Sequence, residues 1–147
     1  MVIMLIEDDL VDAKTVRRVF DSHHLPHQLR IVSGGAAALA DLGVEGDGPD
    51  GSSGPRPELI LLDLNMSGMS GLECLAAIKR TPALCSIPVI VLSTSDLESD
   101  IQASYQGGVA GYFVKPLEYT QFVQTLQSIL RYWELCQHPQ SQAATLP

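Results

Sequence analysis

The sequence predicts an α/β domain: a doubly wound parallel sheet with helices on both faces. Two observations carry this. Short unbroken apolar runs recur along the chain, at residues 2–6, 59–62 and 88–92, and such runs suit strands buried on both faces rather than one. Between them lie longer stretches whose apolar residues fall at helical spacing, so strands and helices alternate. At 147 residues the chain has room for one domain and little more.

Taken in order, Val2, Ile3, Met4, Leu5 and Ile6 form a strand that ends in Glu7, Asp8 and Asp9. Val16, Val19 and Phe20 mark the buried side of a helix over about 12–20, which His23, His24, Leu25, Pro26 and His27 break. These histidines read as a solvated turn rather than a metal site. Residues 29–32 make a second strand and the Ala-rich stretch 34–42 a second helix. Residues 43–57, GVEGDGPDGSSGPRP, hold most of the loop chemistry and too little apolar surface to order themselves, which predicts a mobile insert. The central strand 59–62 delivers Asp63. Ser70 and Glu73 then have the spacing of a capping box for a helix to about Arg80. The strand 88–92 leads to Ser93, and Ser95 with Glu98 suggests a second capping box for a helix to about Gln106. Residues 112–114 form the last strand, before Lys115 and Pro116. Phe122, Leu126, Ile129, Leu130 and Trp133 mark a long amphipathic last helix. The domain is expected to span residues 1–136, with 137–147 a loose tail. The pattern is flavodoxin-like, with expected strand order 2-1-3-4-5.

Composition narrows the function. A net charge of −8 argues against a nucleic-acid partner, because phosphate contacts need clustered Lys and Arg. Three cysteines, an odd number without metal-ligand spacing, read as ordinary thiols in a reducing compartment. The apolar N-terminal run is too short for a signal peptide, and nothing approaches a transmembrane length, so a soluble cytoplasmic protein is expected.

The chemistry is concentrated at the strand ends. In a parallel sheet Glu7 and Asp8, Asp63, Ser93 and Lys115 all reach the same edge, where open α/β sheets place their sites. Gathered carboxylates repel and call for a cation, and hard oxygen ligands that leave room for water suit Mg²⁺. A hydroxyl and an ammonium at the same edge supply what is needed to hold a phosphoryl group.

The order Glu7-Asp8, Asp63, Ser93, Lys115-Pro116 resembles the receiver domain of two-component response regulators, over residues 2 to about 133. The resemblance implies that Asp63 is the phosphoacceptor. It implies that Asp8 and Asp63 bind Mg²⁺ directly, that Glu7 helps through water, and that the backbone carbonyl of Asn65 completes the protein ligands. Ser93 would hydrogen-bond the phosphoryl group, Lys115 would pair with it, and Tyr112 would be the aromatic switch that turns inward as Ser93 is drawn to the phosphate. Two positions depart from the usual pattern: Ser67 stands where a proline is common, and Ser70 where an Asp is common. The runs ILLDLN and SIPVIVLSTS, the long insert and the RYWEL segment further resemble the small stand-alone regulators of phytochrome histidine kinases.

The implied function is a phosphorylation switch that assists its own phosphorylation and dephosphorylation rather than an enzyme, passing its signal through protein contacts. A haloacid-dehalogenase-type phosphohydrolase would need a second Asp where Asn65 stands, and its nucleophile would lie on the first strand. A phosphorylation-independent interaction module would be expected to have lost an acid or the lysine, and a flavin module would be repelled by the acids after the first strand. A sensor histidine kinase is the expected donor. Ile101, Tyr105, Tyr112 and Trp133 on the fourth helix, last strand and last helix have the composition of an interface core, from which a two-fold homodimer is expected.

Overall fold

A computed structural model describes residues 1–44 and 54–138. The elements run β1 (Val2–Ile6), α1 (Leu10–Ser22), β2 (Gln28–Val32), α2 (Gly35–Leu42), β3 (Leu59–Leu62), α3 (Gly71–Lys79), β4 (Val89–Ser93), α4 (Glu98–Gln106), β5 (Gly111–Val114) and α5 (Tyr119–Leu135). The sheet is wholly parallel in the order β2-β1-β3-β4-β5, as the sequence predicts. The chain divides into two compact units: Met1–Lys115, which holds the sheet and α1 to α4, and Pro116–Pro147, which holds α5.

β3 lies in the middle of the sheet, and Leu59, Ile60, Leu61 and Leu62 are all fully buried. Each such aliphatic side chain contributes roughly 1.5–3 kcal/mol. Because side chains alternate along a strand, Met4, Ile6, Ile60, Leu62, Val89 and Val91 share one face. They pack in a single core with Ala38, Leu39 and Leu42 of α2 and Cys74, Leu75 and Ile78 of α3. Ile3, Leu5, Leu61 and Leu92, on the opposite face, are buried as well, as are Ala13, Val16, Val19 and Phe20 of α1. In the second unit α5 buries Phe122, Val123, Leu126, Ile129 and Leu130 at helical spacing.

The helix ends show where local chemistry acts. Asp9 caps α1, its carboxylate accepting from the amides of Val11 and Asp12. The capping box of Ser70 and Glu73 on α3 is present in both directions. The second capping box is not. α4 starts at Glu98 with Leu97 as its cap, and the Ser95 hydroxyl instead accepts from the Leu97 amide and donates to Asp100. Ser95 lies too far before the first helical turn to satisfy its third amide, so its side chain ties the β4–α4 loop to α4. His23 and His24 are exposed at the end of α1, where His24 takes a positive φ of 48°.

Of the insert 43–57, residues 45–53 lie outside the described residues, as do residues 139–147 of the tail. The described end of the insert is held by two arginines. Arg30 donates to the Pro55 carbonyl at 2.7 Å, and Arg56 donates to the Ala83 carbonyl and the Ser86 hydroxyl. Among the described residues no helix is long and apolar enough to cross a membrane.

Candidate functional site: an acidic cluster with a lysine at the sheet edge

Parallel pairing brings the strand ends level. The ladder runs one residue past the strands: the Glu7 amide donates to Val32, the Asp63 amide to Ile6, and the Lys115 amide to Ser93. Glu7, Asp63, Ser93 and Lys115 are thereby fixed by backbone at one edge before their side chains contribute anything. Glu7 is 2% exposed, Asp63 6% and Ser93 0%. Carboxyl groups are rarely buried this deeply without a partner.

One carboxylate oxygen each from Glu7, Asp8 and Asp63 lies within 4.8 Å of the others. The Lys115 ammonium is the cation beside them. It bonds Glu7 Oε1, donates to Asp12 Oδ2 at 2.9 Å, and stands 3.9 Å from Asp63 Oδ1. One ammonium cannot neutralise this set. Burial first, and then the hydrogen bond with Asp63, push the Glu7 carboxyl up to about 8, although Lys115 pulls the other way. Lys115 itself is raised: burial works against its charge, but its bonds to Asp12 and Glu7 outweigh that. The donor set is all oxygen, acidic and short of positive charge, so it fits a divalent cation held by carboxylates.

The β3–α3 loop closes over the acids. The Ser67 amide donates to Asp8 Oδ2 at 2.7 Å, a bond that a proline at this position could not make. Gly68 turns the chain with φ 73°. Gly71 then packs against the end of β3, its amide donating to the Leu64 carbonyl at 3.0 Å. A Cβ at Gly71 would collide with the Asp63 carbonyl oxygen and Leu64 Cα, so only glycine lets α3 start this close to Asp63. Asn65 is exposed in the same loop.

The sequence model of the response regulator receiver domain matches residues 3–127. The chain belongs to this family. It is 40% identical over 132 residues to the response regulator Rcp1 of Synechocystis sp., covering 90% of this chain and 88% of that one. The Mn²⁺-bound crystal structure of Rcp1 superposes with a TM-score of 0.82 over 95% of this chain and 99% of that one. The crystal structure of the phosphorylated cyanobacterial phytochrome response regulator RcpA is 36% identical, with a TM-score of 0.84 over 95% and 98% of the two chains.

In this receiver the hydroxyl at the end of β4 belongs to a small network. Ser93 Oγ accepts from the Ser95 amide at 3.2 Å, and the Ser95 carbonyl accepts from the Tyr112 hydroxyl at 2.8 Å. The Tyr112 ring is half-buried against the core formed with α2 and α3. Ser93 and Tyr112 therefore meet through Ser95 rather than directly. Of the expected interface residues in the first unit, Tyr105 is 52% exposed, while Ile101 and Tyr112 are half-buried. Trp133 of α5 is half-buried and stacks edge-on with Tyr132.

Sequence reasoning missed Asp12 and divided the acids after β1 too coarsely. Glu7 and Asp8 face the site, Asp9 caps α1, and Asp12, in the first turn of α1, binds Lys115. The available signal was position: the first turn of a helix that follows a strand after three residues stays beside that strand's end.

Proposed function

We propose that this receiver takes a phosphoryl group from a phosphohistidine of a sensor histidine kinase onto Asp63, with Mg²⁺ held by Asp8, Asp63, the Asn65 carbonyl and, through water, Glu7. The observation that carries the reading is the buried Asp63 carboxylate, gathered with two more acids and 3.9 Å from the Lys115 ammonium. An Asp63 oxygen attacks phosphorus in line; the P–O bond forms as the P–N bond to the kinase histidine breaks. Phosphoryl transfer needs positioning and charge neutralisation more than covalent help from the protein. Bound at the acids, Mg²⁺ neutralises part of the negative charge on the phosphoryl oxygens. Lys115 pairs with one of those oxygens, and the Ser93 hydroxyl, whose own hydrogen the Ser95 amide does not use, turns to donate to another. Tyr112, bonded to the same loop through Ser95, follows that movement. Water later attacks phosphorus, the P–O bond to Asp63 breaks, and inorganic phosphate leaves with Asp63 restored as a carboxylate, so the acyl phosphate is a timed signal rather than a product.

The likeness to RcpA supports a kinase of the phytochrome type as donor, and the cytoplasm as the place of action is part of this proposal. Its signal passes to a downstream protein by contact. A homodimer through Ile101 and Tyr105 of α4, Tyr112 of β5 and Trp133 of α5 is part of the same proposal. The exposed Leu97, Tyr105, Phe113 and Val114 on α4 and β5 and in the loop before α4 supply apolar surface for it. Light scattering at tens of micromolar, with and without a small phosphodonor and Mg²⁺, tests the dimer; a monomer in both conditions refutes it.

Phosphotransfer from a panel of purified histidine kinases tests the donor. A phytochrome kinase is expected to label the wild type fastest and Asp63→Asn not at all. Equal labelling of Asp63→Asn would contradict the site, and faster labelling by unrelated kinases would contradict the phytochrome link.

A further inference from the structure

The ammonium of Lys115 has three protons to donate. One goes to Glu7 and one to Asp12 at 2.9 Å, while Asp63 at 3.9 Å is beyond hydrogen-bond distance. The two partners differ in how readily they let go. The Glu7 side chain is 2% exposed, so releasing it would strand a buried carboxyl. The Asp12 side chain is 39% exposed, and water can replace the lysine there. Asp12 also lies in the first turn of α1, where the helix N-terminus favours its negative charge with or without a lysine.

We propose that Asp12 is a positioning residue that holds Lys115 back from the phosphoryl position, so that phosphorylation of Asp63 exchanges the Lys115–Asp12 bond for a Lys115–phosphoryl bond. This rests on the reading above, in which Lys115 pairs with the phosphoryl group. The exchange is local. A phosphoryl group on Asp63 brings new acceptor oxygens to the edge where Nζ already stands, and of its two present bonds the one to the exposed Asp12 is the easier to release as Nζ moves to meet them. Asp12 thereby subtracts from the stability of the phosphorylated state and keeps the unmodified state from mimicking it.

The test is a double-mutant cycle on the affinity for beryllofluoride, a phosphoryl mimic, in saturating Mg²⁺. Calorimetry or ¹⁹F NMR on the full chain reads it. Asp12→Asn is expected to tighten binding about two- to fivefold, the size of a partly exposed ion pair. Asp12→Glu, which keeps the charge, is expected to bind like the wild type. In a Lys115→Ala background Asp12→Asn is expected to change nothing. Tightening of equal size without Lys115 would mean through-space repulsion and would overturn the tether. So would unchanged or weaker binding by Asp12→Asn while Lys115→Ala weakens binding. If Lys115→Ala leaves the affinity untouched, the pairing of Lys115 with the phosphoryl group fails first, and the tether with it. Asp12→Ser, compatible with a first helical turn, carries the same comparison if the Asn variant folds poorly.

Discussion

Binding of a divalent cation to this receiver should depend steeply on pH, and Glu7 is the reason. Its carboxyl is raised from an ordinary 4.5 to about 8, first by burial and next by its hydrogen bond with Asp63. The raised Glu7 carboxyl therefore favours its protonated form at neutral pH, and a cation entering the cluster must expel that proton. Below about pH 8 each unit then costs roughly tenfold in apparent affinity, so Mg²⁺ should bind about fiftyfold more weakly at pH 6 than at pH 8, or ~2 kcal/mol. The stability of the cation-free protein should move the other way. The folded state holds this proton more tightly than the unfolded chain, so the contribution is full below 4.5 and is lost as pH rises through about 8. Calorimetric titration with MgCl₂ at pH 6, 7 and 8 measures the first effect. Glu7→Gln, which carries no exchangeable carboxyl proton, should flatten the profile. A wild-type affinity constant across this range, or a full slope retained in Glu7→Gln, would refute the argument.

Three further changes test other parts of the site. Ser67→Pro removes the amide that orients Asp8 at 2.7 Å and should weaken Mg²⁺ about tenfold, as loss of an outer-shell partner does; equal or tighter binding in the same titration would contradict that role. Gly71→Ala forces a methyl against the Asp63 carbonyl oxygen and Leu64 Cα and should cost about 1–3 kcal/mol in a urea melt, with slower labelling of Asp63. Tyr112→Phe deletes the 2.8 Å bond to the Ser95 carbonyl and should lower stability by about 0.5–1.5 kcal/mol, while an unchanged urea midpoint would place the hydroxyl in water.

The fold was legible because its three central strands, β1, β3 and β4, are buried on both faces. Runs such as LILL at 59–62 have no helical period and no polar face, and the helices between them show one. The site was legible for the same reason, since a parallel sheet sends every strand end to one edge and Glu7, Asp63, Ser93 and Lys115 each close a strand. What the pattern could not give was the division of labour among neighbours of one residue type. Asp8, Asp9 and Asp12 look alike in sequence, yet one faces the cluster, one caps a helix and one holds a lysine. That depends on where α1 starts, and helix starts are the least certain part of a sequence reading. Ser95 misled for a related reason. Its spacing to Glu98 fits a capping box, but the helix begins at Glu98 itself, leaving Ser95 to bind Asp100 and to link Ser93 with Tyr112. Ser67 stood out in sequence only as a missing proline, and the structure gives its amide a bond to Asp8.

The central claim is that Asp63 accepts the phosphoryl group, and locating the acyl phosphate tests it most directly. Phosphorylation by a small phosphodonor with Mg²⁺, followed by borohydride reduction, converts an aspartyl phosphate to homoserine, which peptide mass spectrometry can place. The account predicts reduction at position 63 alone, absent from Asp63→Asn and absent when Mg²⁺ is chelated. Phosphate found instead on Ser93, Thr94 or a histidine, or labelling that persists in Asp63→Asn, would contradict it.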